Sequence, residues 1–291
     1  MQAVERSDYQ GTMSPKVSVL ILTKNEEANL PDCLGSLQWC DDLVVLDSFS
    51  TDLTTEIARN AGIRLFQRKF DDYANQRNYG LKEIQYKHQW VLMVDADEKV
   101  PDELVREIGE ALASCTAEVT LFRVRRKDFL LGRWIKHSSS YKALWFGRLM
   151  RIGRVWVERA INEEFHTDGK VAFLQSSLLH YPFNKGFHEW LEKHNRYSSM
   201  EAELKFYKGV YPWKLSDFWH ADPAVRRKAL KALVYSMPAR PLIMFAGLYF
   251  VKGGILDGRS GFTYCMLKAI YEYMIDCKLQ ELTRRKQGLP I

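Results

Sequence analysis

The sequence predicts an α/β protein with a doubly wound, mostly parallel sheet that is completed by mixed strands and followed by a C-terminal helical region. Three observations indicate this class. Apolar strand-like runs alternate four times with helix-like segments within about 100 residues, which is typical of parallel sheets. The alternation breaks down after residue 117. From residue 185 onward the apolar spacing is helical.

The first two strand-helix units begin with β-branched runs. Residues 17–22 read as a buried strand that ends at Thr23, and a helix follows to about residue 37. Residues 43–46 are the second strand-like run. In the turn-rich loop of residues 47–52, Ser50 or Thr51 can cap a helix that Gly62 stops about three turns later.

The next elements follow the same logic. A helix begins at Pro101, with Asp102 and Glu103 in its first turn, as the helix dipole favours. The other predicted elements are strands over 63–67, 90–94, 118–124 and 144–152, a helix over 72–83, and a basic loop over 125–127.

The C-terminal region is predicted to contain helices over 187–208, 224–235, 242–256 and 261–283. The apolar run at 242–251 has roughly half of the ~20 residues that a membrane-spanning helix needs, so it should not span. Two interpretations stay open: an interfacial helix on an anionic cytoplasmic leaflet, or a core helix with a solvated basic face.

Composition limits the class of protein. The chain has 291 residues, 46% of them hydrophobic, which is enough for a sizeable core. Five cysteines without a Cys-x-x-Cys pair argue against a disulfide framework and a structural zinc, and favour a reducing, cytoplasmic setting. We expect a flexible leader over 1–15 that lacks a secretory signal, a catalytic domain over 16–184 and a helical region over 185–291.

The net charge of +6 is concentrated at the C-terminal end. Residues 222–291 carry 12 basic and 5 acidic side chains, a local net charge of +7. Such a segment can meet nucleic acid, an anionic membrane surface or a phosphorylated substrate, and charge alone does not choose among them.

The most informative motif is Asp95-Ala96-Asp97, which directly follows the fourth strand. Two carboxylates so placed suit a hard divalent cation whose other ligands are diphosphate oxygens and water. A metal there would neutralise the charge on a departing diphosphate. Ligands of parallel sheets bind beyond the carboxyl ends of the strands, so residues 23–26, 47–52 and 95–97 should converge on one crevice.

Several enzyme classes lack their fingerprints in this chain. We find no Gly-x-Gly-x-x-Gly after the first strand, no P-loop and no Gly-x-Ser-x-Gly elbow. This argues against dinucleotide binding, P-loop hydrolysis and a serine hydrolase.

Four segments follow one another along the chain in the order VSVLILTKNEEANL, VVLDSFSTDLTTEIA, QRNYG and WVLMVDADEKV. In this order they resemble glycosyltransferase family 2, the inverting enzymes of GT-A fold. Four later segments resemble the bacterial lipopolysaccharide-core β-glucosyltransferase subgroup: WVERAINEEF, LLHYPF, EWLEKHNRYS and GGILDGRSGF. The resemblance implies a metal-dependent hexosyltransferase that uses Mn²⁺ or Mg²⁺, with UDP-glucose as donor and a cell-envelope glycan or glycolipid as acceptor.

The resemblance also implies site residues. Asp97 would bind the metal, and Asp95 would meet the ribose or the metal. The remaining donor contacts would be the nucleoside-pocket residues Thr23, Asn25 and Glu26, the base or ribose contact Asp47, and Arg77. Phe49 stands where these relatives often have glycine, which would loosen that loop.

An inverting transfer needs one general base on the acceptor side. By alignment with a Val-His-Glu triplet of the relatives, Glu163 is the expected base, and Glu158 is the reserve. Asn162 replaces the histidine of that triplet. His180, in LLHYPF, is a further candidate, although a structural histidine is the commoner role at such a position.

Two alternative functions remain at this level. One is a basic membrane-surface or nucleic-acid binding module on an α/β scaffold, and the other is a sugar-phosphate nucleotidyltransferase. Because the acidic motifs all lie at predicted strand ends, we favour the transferase and expect no nucleic-acid partner. We expect a cytoplasmic enzyme, peripheral on the inner face of the cytoplasmic membrane.

Overall fold

The computed structural model describes residues 14–139, 141, 144–158, 164–209, 214–220, 222, 225–226, 229–230, 232–233, 237 and 239–291. The chain divides into two compact units. The sheet unit comprises Met1–Phe129 and Ser140–Asn184, and the helical unit comprises Leu130–Ser139 and Lys185–Ile291. Leu130–Ser139 thus groups with the helices, although the sequence places it within the domain over 16–184. Residues 1–13 of the expected leader lie outside the described part of the chain.

The sheet unit alternates strands and helices before it turns to strands alone. Its helices are α1 Leu30–Gly35, α2 Thr54–Asn60, α3 Tyr73–Glu83 and α4 Asp102–Ser114. The strands, including β7 of the Leu130–Ser139 segment, are β1 Val17–Thr23, β2 Leu43–Asp47, β3 Arg64–Gln67, β4 Trp90–Asp95, β5 Glu98–Lys99, β6 Val119–Leu130, β7 Arg133–Trp134, β8 Phe146–Arg151, β9 Val155–Glu158, β10 Glu164–Thr167 and β11 Lys170–His180.

The main sheet has the strand order β3-β2-β1-β4-β8-β6-β11-β5. Strands β1 to β4 are mutually parallel, whereas β8 is antiparallel to both of its neighbours, β4 and β6. This confirms the predicted doubly wound sheet with mixed strands at its far side. The predicted basic loop over 125–127 is wrong, because β6 continues through it and pairs with β11.

Alternating side chains of the parallel strands build a core on each face of the sheet. On one face, Val19 and Ile21 of β1 pack with Leu104 and Ile108 of α4. On the other face, Leu20 packs with residues of α3 and β9. Helix α3 approaches β1 closely at Gly80, where an added Cβ would lie 2.5 Å from the Leu20 side chain. Glycine at this position of QRNYG therefore sets how deeply α3 packs.

Within its described residues, the helical unit contains three α-helices and several shorter turns. They are α5 Gly186–Lys208, α6 Arg240–Ala246 and α7 Gly258–Lys286, with a 3-10 turn at Leu215–Trp219, a π turn at Gly247–Val251 and a 3-10 turn at Gly254–Asp257. The single helix predicted over 242–256 is therefore wrong, since three short elements cover it. The helix predicted over 224–235 lies in large part outside the described residues.

Candidate active site

Polar side chains from four parallel strands meet at one edge of the sheet. The register aligns Thr23 with Asp47, Asp47 with Gln67, and Leu22 with Asp95. Because these residues end β1, β2, β3 and β4, the loops that follow open from the same edge. The strand ends that the sequence expects to converge therefore lie at the same end of the sheet.

Asp47 is buried under this edge and serves as an internal acceptor. Its carboxylate accepts hydrogen bonds from Thr23 Oγ1 at 2.9 Å, Gln67 Nε2 at 3.1 Å and the Ser50 backbone N–H at 2.8 Å. The Ser50 hydroxyl is a further donor to it. Four donors fill the lone pairs of both oxygens, so Asp47 fixes the ends of β1 and β3 and the loop after β2.

The loops after β1 and β2 are locked together by side-chain to backbone hydrogen bonds. Asn25, with a left-handed φ of 52°, accepts from the Thr51 N–H at 2.8 Å, and its own N–H donates to Ser50 Oγ at 2.7 Å. The Glu26 N–H donates to Thr54 Oγ1 at 2.7 Å. The predicted capping of α2 by Ser50 or Thr51 is wrong, because Asp52 accepts from the Thr54 N–H at 3.0 Å instead.

A cavity of about 580 Å³ opens beside these loops and is lined by Lys24, Ser48, Phe49, Lys69 and Phe70. Phe49 adopts a φ of 58°, in the left-handed region that favours glycine. Two exposed aromatic side chains and two lysines give this cavity surfaces for a planar ring and for an anion. The sequence did not identify Lys69 or Phe70.

Asp95 is held between two arginines. Arg77, from α3, donates to Asp95 Oδ1 at 3.2 Å and 3.3 Å, and Arg148, from β8, donates to Oδ2 at 2.7 Å. The Arg148 guanidinium also donates to Glu98 Oε1 at 2.6 Å. Glu98 in turn accepts from the Asp95 backbone N–H at 3.0 Å. Both carboxylate oxygens of Asp95 are thus engaged by fixed cations.

Asp97 contacts His180 of strand β11. His180, the last residue of β11, places Nε2 at 3.2 Å from Asp97 Oδ2 and Nδ1 at 2.7 Å from Asp128 Oδ1. The Tyr181 N–H donates to the Asp97 carbonyl at 2.8 Å. Asp128 also accepts from Arg126 Nε at 3.2 Å. The imidazole is thereby oriented by carboxylates on both sides.

Burial and neighbouring charges shift the pKa values of three groups in this cluster. Burial raises the pKa of Asp95, but Arg148 and Arg77 outweigh burial and hold it well below its usual range. Burial lowers the pKa of Arg148, and Asp95 and Glu98 reverse that effect and raise it. For His180, burial and Arg126 lower the pKa, while Asp97 and Asp128 raise it by more. Asp95 is therefore held as a carboxylate between the two arginines.

Strands β9 and β10 pair antiparallel in a separate two-stranded sheet, the β9–β10 hairpin, which contains Glu158, the reserve candidate for the base. Glu158, the last residue of β9, is exposed; it accepts from Trp156 Nε1 at 3.0 Å and lies 3.6 Å from His166 Nε2. Glu163 lies outside the described residues. The described contacts of Glu158 do not bring it to Asp95 or Asp97.

Two contacts hold the β9–β10 hairpin against α3 and β8, the elements that carry Arg77 and Arg148. The Asn78 side chain, next to Arg77 in α3, donates to the Val157 carbonyl at 2.7 Å and accepts from the Val157 N–H at 2.9 Å. Gly147, next to Arg148, faces Phe165 of β10 so closely that a Cβ would lie 2.7 Å from that ring. The same two elements that fix Asp95 therefore also position the hairpin.

Arg148, Glu98 and Asp128 are residues that sequence reasoning missed. Glu98 directly follows Asp97, and Arg148 is a charged residue inside a strand-like apolar run. A charged residue in a strand predicted to be buried indicates a site of this kind, because a buried charge needs an opposite charge or a hydrogen-bond partner. His180, for which the sequence favours a structural role, lies between the carboxylates of Asp97 and Asp128.

The chain matches the model of glycosyl transferase family 2 over residues 18–234. The lipopolysaccharide core biosynthesis glycosyltransferase LpsC of Rhizobium meliloti is 28% identical over 283 residues, which cover 92% of this chain and 94% of LpsC. An uncharacterized glycosyltransferase of Rickettsia typhi is 25% identical, covering 94% of this chain and 90% of that protein.

Solved structures are more distant. TarS of S. aureus (residues 1–349) is 14% identical, with 94% of this chain and 92% of that chain covered and a TM-score of 0.43. Glucosyl-3-phosphoglycerate synthase from Mycobacterium tuberculosis, in complex with Mn²⁺, uridine diphosphate and glucosyl-3-phosphoglycerate, is 24% identical, with 40% and 44% covered and a TM-score of 0.32. The family match spans most of the chain, and the mixed, mostly parallel sheet has the GT-A character that the sequence motifs imply. The chain is therefore a glycosyltransferase and belongs to glycosyl transferase family 2.

Proposed function

We propose that this glycosyltransferase moves glucose from UDP-glucose, with inversion, onto a cell-envelope glycan or glycolipid such as the lipopolysaccharide core. The observation that carries the proposal is the Asp95–Asp97 cluster at the parallel strand ends of a family 2 chain. The name and the near-complete coverage of LpsC support the acceptor class. Membership in the family favours this function over a binding module or a nucleotidyltransferase.

The metal ion, Mn²⁺ or Mg²⁺, would be held by Asp97 rather than by Asp95. Asp95 already receives Arg77 and Arg148. His180 presents Nε2 towards Asp97 while its other ring nitrogen meets Asp128, which is how metal-binding histidines are commonly oriented. Among the described residues no group of three or more His, Cys, Asp or Glu side chains forms a ready-made metal site. Mg²⁺ sites commonly use one or two protein ligands and substrate phosphates.

The donor nucleoside would occupy the cavity lined by Phe49 and Phe70. Asn25 and Glu26 hold the wall of this cavity through the loop of residues 50–54. Thr23 and Asp47 support it from below, because Asp47 is buried and fully hydrogen-bonded. We therefore assign Asp47 to the architecture of the pocket, and the aromatic side chains to contact with the base.

The transfer is a displacement at the anomeric carbon. An acceptor hydroxyl gives its proton to a carboxylate, its oxygen forms the new bond to carbon, and the bond to the diphosphate breaks on the opposite side. A bound divalent ion would neutralise the charge that grows on the diphosphate. Glu163 stays our candidate for the base by its alignment with the Val-His-Glu triplet of the relatives. Strands β9 and β10, which precede and follow it in the chain, are tied to α3 and β8.

All five cysteines are free thiols, which supports a cytoplasmic setting for the enzyme as part of this proposal.

The metal and the donor are tested together. Purified protein is titrated calorimetrically with UDP and with UDP-glucose, with Mn²⁺, with Mg²⁺ and in excess EDTA, and transfer to truncated lipopolysaccharide core is followed in parallel. We expect metal-dependent donor binding in the wild type and its loss in Asp97→Asn, while exposed Asp168→Asn serves as the matched control. Undiminished transfer in excess EDTA would refute metal dependence.

The base is tested by Glu163→Gln, which keeps size and hydrogen bonding but removes proton acceptance. Turnover should fall about 10²–10⁴-fold with donor affinity unchanged. Glu158→Gln is the matched variant in the same hairpin. If only the Glu158 variant loses turnover, the base is misassigned within the hairpin; if both variants transfer normally, the mechanism is wrong.

A further inference from the structure

The last helix of the helical unit exposes an apolar stripe. Phe262, Met266, Ile270 and Tyr273 follow one another at helical spacing on one face of α7 and are between 38% and 61% exposed. The opposite face of α7 is buried. A solvent-facing helix surface is normally polar, so this face of α7 has the composition of an interface.

The apolar surface continues at the bend that precedes α7. Phe250, Ile255 and Leu256 are exposed there, and Val251 is 86% exposed. Glycines with positive φ at Gly253 and Gly258 turn the chain between the π turn and α7. Together with the stripe on α7, these residues form what we call the apolar face: Phe250, Val251, Ile255, Leu256, Phe262, Met266, Ile270 and Tyr273.

The bend is rigidly built, so its apolar residues are held outward. Asp257 is buried and accepts hydrogen bonds from the backbone N–H groups of His137 at 3.0 Å and Ser138 at 3.2 Å. Its carboxylate also meets His137 Nδ1 at 2.8 Å. Gly261 packs against the Gly254 carbonyl, where an added Cβ would lie at 2.1 Å. Exposure of Ile255 and Leu256 is therefore a property of the fold.

The exposed charges beside the bend form a basic rim. It contains Lys252 and Arg259, which are exposed, whereas Asp257, which lies between them in the chain, is buried. Arg133 is added to this rim by its hydrogen bond to the Leu256 carbonyl at 3.1 Å. A basic rim around exposed aliphatic and aromatic side chains matches an anionic lipid surface. A second copy of the same face would place like charges against each other.

The length and hydropathy of the last helices also agree with a lipid bilayer as the partner. In the described part of the chain no single helix can cross a membrane, whereas Arg240–Val251 and Gly254–Lys286 together have sufficient length and hydropathy but are bent by 72°. A bent pair suits entry into one leaflet and return to the same side.

We propose that the apolar face inserts into one leaflet of an anionic bilayer, with Val251 and Leu256 leading and the basic rim at the headgroups. Insertion depends on apolar burial as well as on charge. This inference concerns the helical unit and does not rest on the proposed donor or acceptor.

Flotation of the full chain with vesicles tests the proposal. Vesicles of phosphatidylcholine with phosphatidylglycerol are compared with pure phosphatidylcholine, each at low and high salt. We expect strong recovery with the anionic vesicles, partly retained at high salt because apolar burial is not screened. Val251→Asp and Leu256→Asp should each weaken binding about tenfold to a hundredfold. Leu144→Asp, an exposed leucine of the sheet unit, is the matched control and should bind like the wild type.

The basic rim is tested separately. Lys252→Gln combined with Arg259→Gln should weaken binding to anionic vesicles and leave the weak binding to neutral vesicles unchanged. UDP binding, measured in each variant, should remain at the wild-type level, which separates failure of this proposal from failure of the proposed activity.

Three results would overturn the insertion. The first is wild-type protein that stays unbound with both kinds of vesicle. The second is binding that Leu256→Asp does not alter. The third is a lipid-free dimer in sedimentation velocity that Ile270→Asp dissociates, because the apolar face would then be covered by a second copy.

Discussion

The charged cluster around Asp95 in the sheet unit and the apolar face of the helical unit are opposite exceptions to the usual burial of side chains. At the sheet edge, Arg148 and Glu98 are buried charges. On the apolar face, Val251 and Leu256 are hydrophobic residues left in solvent. Charged residues are rarely buried without partners, and large apolar patches are rarely exposed on monomers.

The difference shows how each region achieves stability. The buried charges are compensated within the chain, since Arg148 meets Asp95 and Glu98 at 2.7 Å and 2.6 Å. The apolar face has no such compensation within the described residues, so its compensation must come from a partner. Replacing one buried charged residue at the sheet edge should therefore lower the free energy of unfolding strongly. Replacing one residue of the apolar face should leave it almost unchanged.

The largest effect is expected for Arg148→Met. This change leaves Glu98 and Asp95 buried without their main cation, so the free energy of unfolding should fall by about 3–5 kcal/mol. Urea unfolding followed by circular dichroism measures it. Arg154→Met is the control, because the Arg154–Asp168 pair is exposed and should contribute at most about 1 kcal/mol. Equal losses of unfolding free energy in the two variants would mean that the buried carboxylates of Asp95 and Glu98 do not depend on the charge of Arg148.

A half-buried ionisable group of the helical unit, His194, should make the stability of the protein sensitive to acid. Burial lowers the pKa of His194 to about 4, despite its hydrogen bond to the Trp190 carbonyl at 2.8 Å, and its ring stacks on Trp190. Because the folded pKa lies below the unfolded value of about 6.5, the stabilisation is complete above pH 6.5 and is lost as the pH falls towards 4.

The loss should be on the order of 2 kcal/mol after allowance for partial solvent exposure. Urea unfolding of the wild type and His194→Gln between pH 4 and 7.5 measures it, and the variant should lose most of this slope. His188→Gln, an exposed histidine of the same helix, should keep it. A wild-type slope that survives in the His194 variant would contradict the assignment.

A smaller effect is expected where the sheet unit exposes an aromatic side chain in its cavity. Phe49→Gly relieves a left-handed backbone conformation, so stability should stay constant or rise by up to about 1 kcal/mol. If Phe49 stacks on the donor base, donor affinity should fall roughly fivefold or more. Leu131→Gly is the matched control, since Leu131 is also exposed with a φ of 51°. If the calorimetric donor affinity of Phe49→Gly equals that of the wild type, Phe49 does not stack on the donor base.

The smallest effect is expected on the apolar face itself. Met266→Glu replaces an exposed side chain that loses little by becoming polar, so the free energy of unfolding in lipid-free buffer should change by at most about 0.5 kcal/mol. Thermal unfolding measures it. A loss as large as that of Arg148→Met would show that Met266 is covered within the chain.

Much of the sheet unit could be predicted from local pattern. The buried runs at 17–22, 43–46 and 90–94 become β1, β2 and β4, because parallel strands covered on both faces must be continuously apolar. Their order in the chain also fixed where Thr23, Asp47 and Asp95 would meet. The roles of the predicted site residues towards donor, metal and acceptor stay predictions.

Other features required the tertiary structure. The length of β6 through Arg125 and Arg126 was hidden, because basic residues read as a loop until partners such as Glu98 and Asp128 are brought to them from distant parts of the chain. His180 reached Asp97 only through the pairing of β11 beside β5.

The sequence by itself determined the α/β class, the acidic motif and the family, because each depends on residues that are close together along the chain. Only the tertiary structure decided which arginines neutralise Asp95 and which face of α7 is left in solvent. Both faces of that helix carry apolar residues, so its pattern does not show which side packs. The choice depends on contacts between residues far apart in sequence, and no local propensity specifies those contacts.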